Sequence, residues 1–84
     1  MMYGGIVSVV DELVDDKPAL AGFMETQKLI VKRKAEEAGY RCVDEPAAEL
    51  LENRFPAHHV AEDGFEWDDP NWVVRVSVHV EEVA

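Results

Sequence analysis

Trp72-Val73-Val74-Arg75-Val76-Ser77-Val78-His79-Val80-Glu81 is the stretch that decides the fold class. Trp72, Val74, Val76, Val78 and Val80 fall on one parity, and Val73, Arg75, Ser77, His79 and Glu81 on the other. Successive side chains of a strand point to opposite faces, so this β-branched alternation predicts a strand with one face on a core and one face largely wet. It carries no chemistry.

Upstream of it, Asp68-Asp69-Pro70-Asn71 has turn composition: Asp accepts hydrogen bonds from turn backbone and Pro presets φ. Phe65 and Trp67 alternate with Glu66 on the way in, so a C-terminal β-hairpin is expected, with Trp67 and Trp72 facing each other across it. Asp63-Gly64 is a bulge or a further turn, and residues 58–62 can extend the incoming strand.

The longest element comes earlier. Asp16 can cap a helix that has Pro18 in its first turn, where a missing N–H costs nothing. Leu20, Phe23, Met24, Gln27, Ile30, Val31, Ala35 and Ala38 keep the helix period, and Gly39 suits the C′ position, so the helix is expected over about Pro18–Ala38. Lys32, Arg33 and Lys34 enrich its later turns, where cations suit the dipole. Lys32–Glu36 spacing predicts ion pairs that partly neutralise the basic cluster Lys28, Lys32, Arg33 and Lys34.

Before that helix, Tyr3, Ile6, Val7, Val9, Val10, Leu13 and Val14 share one side of a helical wheel, which predicts a first helix stopping near Asp15. A strand over Ile6–Val10, after Gly4 and Gly5, is the competing reading. After the long helix, Tyr40–Val43 is a short strand candidate. Asp44-Glu45-Pro46 is a helix-start signature, and Ala47, Leu50 and Leu51 predict a short third helix ending near Arg54. The expectation is one acidic α+β domain over residues 1–84: two N-terminal helices, a short strand, a short third helix and a C-terminal antiparallel hairpin, with the long helix packed on Val74, Val76, Val78 and Val80.

Composition bounds function. Eighteen Asp and Glu against eight Lys and Arg leave a formal charge of −10, which repels nucleic-acid phosphates and anionic lipid. No direct nucleic-acid or membrane binding is expected, and no stretch is long and apolar enough to span a bilayer. Without a basic n-region the N-terminus does not read as a signal peptide, so a cytoplasmic setting is expected, in a host cell or a virion if the chain is phage-encoded. Cys42, the single cysteine, excludes an internal disulfide and reads as a small apolar residue.

The chemistry-bearing residues form no recognised motif. His58 and His59 point to opposite sides if extended, and His79 lies on the wet parity of the last strand, where one of the pair could face it. Glu62, Asp63, Glu66, Asp68 and Asp69 are dense enough for a cation loop but lack the EF-hand order. Ser77 and His79 share a strand face, but no orienting acid or oxyanion site is expected to go with them. No enzyme activity, cofactor or metal is therefore expected.

Leu29 lies off the apolar arc of the long helix, Val73 lies on the wet face of the last strand, and the tryptophans flank the expected turn. With Arg75 and His79 on the same wet face, Leu29, Trp67, Trp72 and Val73 are the candidate partner-binding residues. The function expected is a non-enzymatic assembly subunit that binds a protein partner or itself in a homo-oligomer. A small phage head–tail or tail component has this size and this absence of motifs. The alternative is an acidic nucleic-acid mimic that inhibits a basic partner protein.

Overall fold

The computed structural model describes residues 1–83. In chain order they form strand β1 (Met2–Val9), helices α1 (Asp11–Asp15) and α2 (Lys17–Glu37), then strands β2 (Tyr40–Cys42), β3 (Ala47–Glu52), β4 (His58–Val60), β5 (Glu66–Asp68) and β6 (Trp72–Glu82). The chain is an α+β protein with antiparallel sheets.

The eleven-residue β6 is the spine. Strand β1 pairs along one edge of it, from Met2 opposite His79 to Val9 opposite Trp72. The other edge is shared by two short strands: β2 lies against Val80–Glu82 and β3 against Trp72–Ser77. Val74, Val76, Val78 and Val80 are buried, as the alternation predicts, and Arg75 and His79 are exposed. Helix α2 lies on the valine face, where Val31 and Ala35 complete the core and Tyr3, Tyr40, Cys42 and Ala48 pack around it.

The long helix forms for the reasons its sequence contains. Asp16 Oδ1 accepts the Ala19 N–H at 3.2 Å, and Pro18 stands in the first turn. Gly39, at φ 91°, takes the left-handed conformation that ends it. The expected Lys32–Glu36 pair is not made; Lys28 Nζ bonds Glu25 Oε1 at 3.0 Å instead, and Lys32, Arg33 and Lys34 make no ion pair among the described residues.

Three local expectations are overturned by long-range pairing. The expected helix over Tyr3–Asp15 is mostly strand: only Asp11–Asp15 is helical, and Met2–Val9 pairs with β6. An unpaired edge on the central strand leaves a row of backbone groups without partners, and β-branched Val7 and Val9 suit a strand. The expected third helix at Ala47–Arg54 is strand β3, because pairing with β6 sets Ala48 and Leu50 opposite Val76 and Val74 on the covered face. Tertiary pairing outweighs the helix propensity of an Ala-Ala-Glu-Leu-Leu-Glu segment.

The expected hairpin of Phe65–Trp67 with β6 is also absent. Strand β5 pairs with β4, in a separate two-stranded sheet, and Trp67 faces His59 rather than Trp72. The turn of that hairpin is Ala61–Gly64, with Glu62 and Asp63 at its centre and Gly64 at φ 88°. Residues 69–71 link the arm to β6: Asn53 N donates to Asn71 O at 2.7 Å and Asn53 Nδ2 to Pro70 O at 3.1 Å, tying the link to the end of β3.

The result is a thin, open molecule. Its principal extents are 48 × 35 × 18 Å, and its radius of gyration is 15.5 Å, against about 12 Å for a typical chain of this length. Its accessible surface is 6188 Å², where a folded monomer of 9.5 kDa exposes about 5,000 Å².

Candidate functional site

The open geometry leaves three surfaces with chemical character: the uncovered face of the four-stranded sheet, the β4–β5 arm, and the groove between β1 and α2.

On the uncovered sheet face, β6 presents Val73, Arg75, Ser77 and His79 between Met2, Gly4, Ile6 and Ser8 of β1 and Ala47, Glu49 and Leu51 of β3. Arg75 Nη2 donates to Glu49 Oε2 at 2.8 Å, and Arg41 pairs with Glu81 further along the face. His79 Nδ1 lies 3.3 Å from Asp44 Oδ2, so the expectation that no acid orients His79 does not hold. No hydrogen bond joins Ser77 to His79 among the described residues, and the face carries an open depression beside Met2, Gly4, Ile6, Arg75 and Ser77. The arrangement can serve recognition; it does not assemble a nucleophile, a base and an oxyanion site.

The β4–β5 arm carries both adjacent histidines, each held by a carboxylate ten residues on. His58 Nδ1 lies 2.6 Å from Asp68 Oδ1, and His58 Nε2 lies 3.4 Å from Glu66 Oε1. An imidazole with both nitrogens against carboxylates is a double donor, and the Asp68 and Glu66 carboxylates raise its pKa above the ordinary 6.5. His59 Nε2 lies 2.7 Å from Asp69 Oδ1. That bond, with the Ala57 N–H donated to Asp69 Oδ2, holds the Asp69 carboxyl below its ordinary 3.8. The carboxylates on His58 engage opposite ring nitrogens, so they diverge from the single point a metal ion needs. His79 lies on the other sheet, so the expected approach of His58 or His59 to it does not occur.

The side of the arm that carries His59 is aromatic. The Phe65 and Trp67 rings are 5.8 Å apart, and Trp67 stacks on His59 at 5.0 Å. Phe65 is 65% exposed and Trp67 45%.

Of the sequence-selected residues, Val73, Arg75 and His79 share the uncovered sheet face. Trp72 lies on the covered parity of β6, half-buried opposite Val9 and Glu52. Leu29 is exposed on α2, and Trp67 belongs to the arm. They do not form one site. Cys42 sits opposite Val80, half-buried, with Sγ 3.9 Å from the Lys32 carbonyl oxygen. Sequence reasoning missed the His58–Asp68 and His59–Asp69 pairs. The further turn expected at Asp63-Gly64 points to the right region, but only a loop centred on Asp63 sets residues 58 and 68 opposite each other.

Comparison with protein-family models, curated proteins and solved structures finds no match for this chain. Among the described residues, no helix is long and apolar enough to cross a membrane.

Proposed function

We propose that the chain is a non-enzymatic assembly subunit that acts through protein–protein contact. One observation carries this reading. The buried core is made of valines and one alanine, while the large apolar side chains lie outside it: Phe55 is 89% exposed, Leu29 69%, Ile6 66% and Phe65 65%. Burial of apolar area is the main favourable term in folding, and this chain leaves much of its own unused. Exposed apolar surface on this scale, on a molecule whose sheet is covered on one face only, supports association with a protein neighbour. A small structural component of a phage particle, at a head–tail or tail position, is the kind of subunit meant.

A salt series tests the reading. Contacts made through apolar surface survive about 0.5 M salt, where exposed charges are screened within a few ångströms. Complexes recovered from lysate with the tagged chain are expected to persist at high salt and to resist competing DNA. Loss of every partner at high salt, with displacement by DNA, would instead identify an acidic mimic acting through the −10 charge.

A further inference from the structure

The groove between β1 and α2 is a gap of about 290 Å³ whose lining includes Gly5, Gln27, Ile30, Val31, Lys34 and Val76. It exists because Gly5 has no side chain. Gly5 lies opposite Val76 on the helix-facing parity, and a Cβ built there meets nothing within 4 Å. Lys34 is the one ionised side chain in the lining, in a chain of net charge −10, and it makes no ion pair among the described residues. The groove is thus apolar with a cationic rim.

The β4–β5 arm has the complementary character. It offers Phe65 and Trp67 on one side, and Glu62 and Asp63 lie beside them in the turn. The arm is paired within itself, in a sheet separate from the β6 sheet. We infer that the aromatic arm of one copy docks in the β1–α2 groove of a second copy of this chain, Phe65 filling the space above Gly5 and the arm carboxylates meeting Lys34.

This contact rests on the assembly reading and specifies its partner. Both complementary halves, an acidic aromatic projection and a basic-rimmed apolar groove, are present on one polypeptide, so a second copy supplies what each half lacks. Buried aromatic side chains in pockets are the usual anchors of such contacts. Opposite charges at the rim fix the orientation and favour encounter.

The test uses the full chain and two variants that alter opposite halves. Phe65→Ser removes the anchor from an exposed position. Gly5→Leu fills the groove, at a backbone conformation without positive φ. Self-association is measured by analytical ultracentrifugation across a concentration series, with circular dichroism confirming that each variant is folded. The parent is expected to self-associate, and each variant to do so roughly tenfold more weakly or less, as for loss of one buried anchor. An equimolar mixture of the two is expected to recover association, because the Gly5→Leu copy keeps its arm and the Phe65→Ser copy keeps its groove. Lys34→Glu is a second groove variant, expected to weaken association most at low salt. A monomeric parent, variants that associate like the parent, or a mixture that stays monomeric would each overturn the arm-in-groove contact. Salt-resistant capture of a different protein by a monomeric parent would overturn this contact and leave the assembly reading standing.

Discussion

His58 Nδ1 lies 2.6 Å from Asp68 Oδ1 across the β4–β5 arm, and the opposite ring nitrogen faces Glu66. The two strands of the arm have three residues each, too few for a hairpin to be stable in water on backbone pairing alone. Side-chain pairs across the arm are therefore part of what orders it.

The stability of the arm is expected to depend on pH in a defined direction. The folded pKa of His58 is raised above 6.5, so its contribution is fully present below that value and is lost as pH rises through the folded pKa. The folded pKa of Asp69 is lowered below 3.8, so its contribution is present above that value and is lost as pH falls through the folded pKa. The arm is most ordered between the two. Amide protection factors of Ala61 and Asp69, whose N–H groups bond Phe65 O and Ala57 O, report on it. Protection is expected to fall as pH rises above 6.5 in the parent and to lose that fall in His58→Ala. A flat profile in the parent would count against the pairing.

The register of β6 predicts opposite outcomes at adjacent positions. Val76 is 4% exposed against Val31 and Ala35, so Val76→Asp places a carboxylate in the core at a cost of several kcal/mol and unfolds the protein. Ser77, on the uncovered face, tolerates Asp within about 1 kcal/mol. Urea unfolding followed by circular dichroism checks both. A reversed order would mean that the strand is shifted by one residue.

Gly4 and Gly5 are expected to differ sharply despite being neighbours. A Cβ on Gly4 would overlap the Val76 carbonyl oxygen and approach Ser77 Cα to 2.9 Å, both backbone atoms that cannot turn aside. Gly4→Ala is expected to destabilise by about 1–3 kcal/mol, in the range of overpacking, by forcing β1 away from β6. Gly5→Ala meets open space and is expected to be neutral or to stabilise by about 0.5–1 kcal/mol. Thermal melts of the two variants, measured side by side, settle the comparison.

Asp16 caps the helix that covers the sheet. Removing its side-chain acceptor in Asp16→Ala leaves the Ala19 N–H without its partner and is expected to cost about 1 kcal/mol. Asp16→Asn keeps the acceptor and is expected to retain most of the stability. Equal losses in the two variants would show that charge, not the hydrogen bond, matters at the cap.

The elements that could be read from sequence are those whose signals are local and whose alternatives are weak. The valine alternation of β6 specifies its own buried face, because period two is a property of consecutive residues. Helix α2 carries its proline within its span and its cap and terminating glycine immediately beside it. The packing of one on the other then follows, since each has a single apolar face to bury.

The partners of β6 are not written locally. Tyr3–Val9 and Ala47–Glu52 each satisfy a helix period, and both become strands because the central strand needs a hydrogen-bonded neighbour on each edge. The pairing of Met2 with His79 spans nearly the whole chain, a separation at which residue spacing carries no information. The candidate surfaces were scattered in the sequence for the same reason. Val73 and Leu51 become neighbours through strand pairing alone, and the β1–α2 groove requires Gly5 to stand opposite Val76 beneath the helix. Local patterning determined which face of each long element is apolar. Long-range hydrogen bonding decided which elements are strands, which edges they fill, and hence which surfaces remain uncovered.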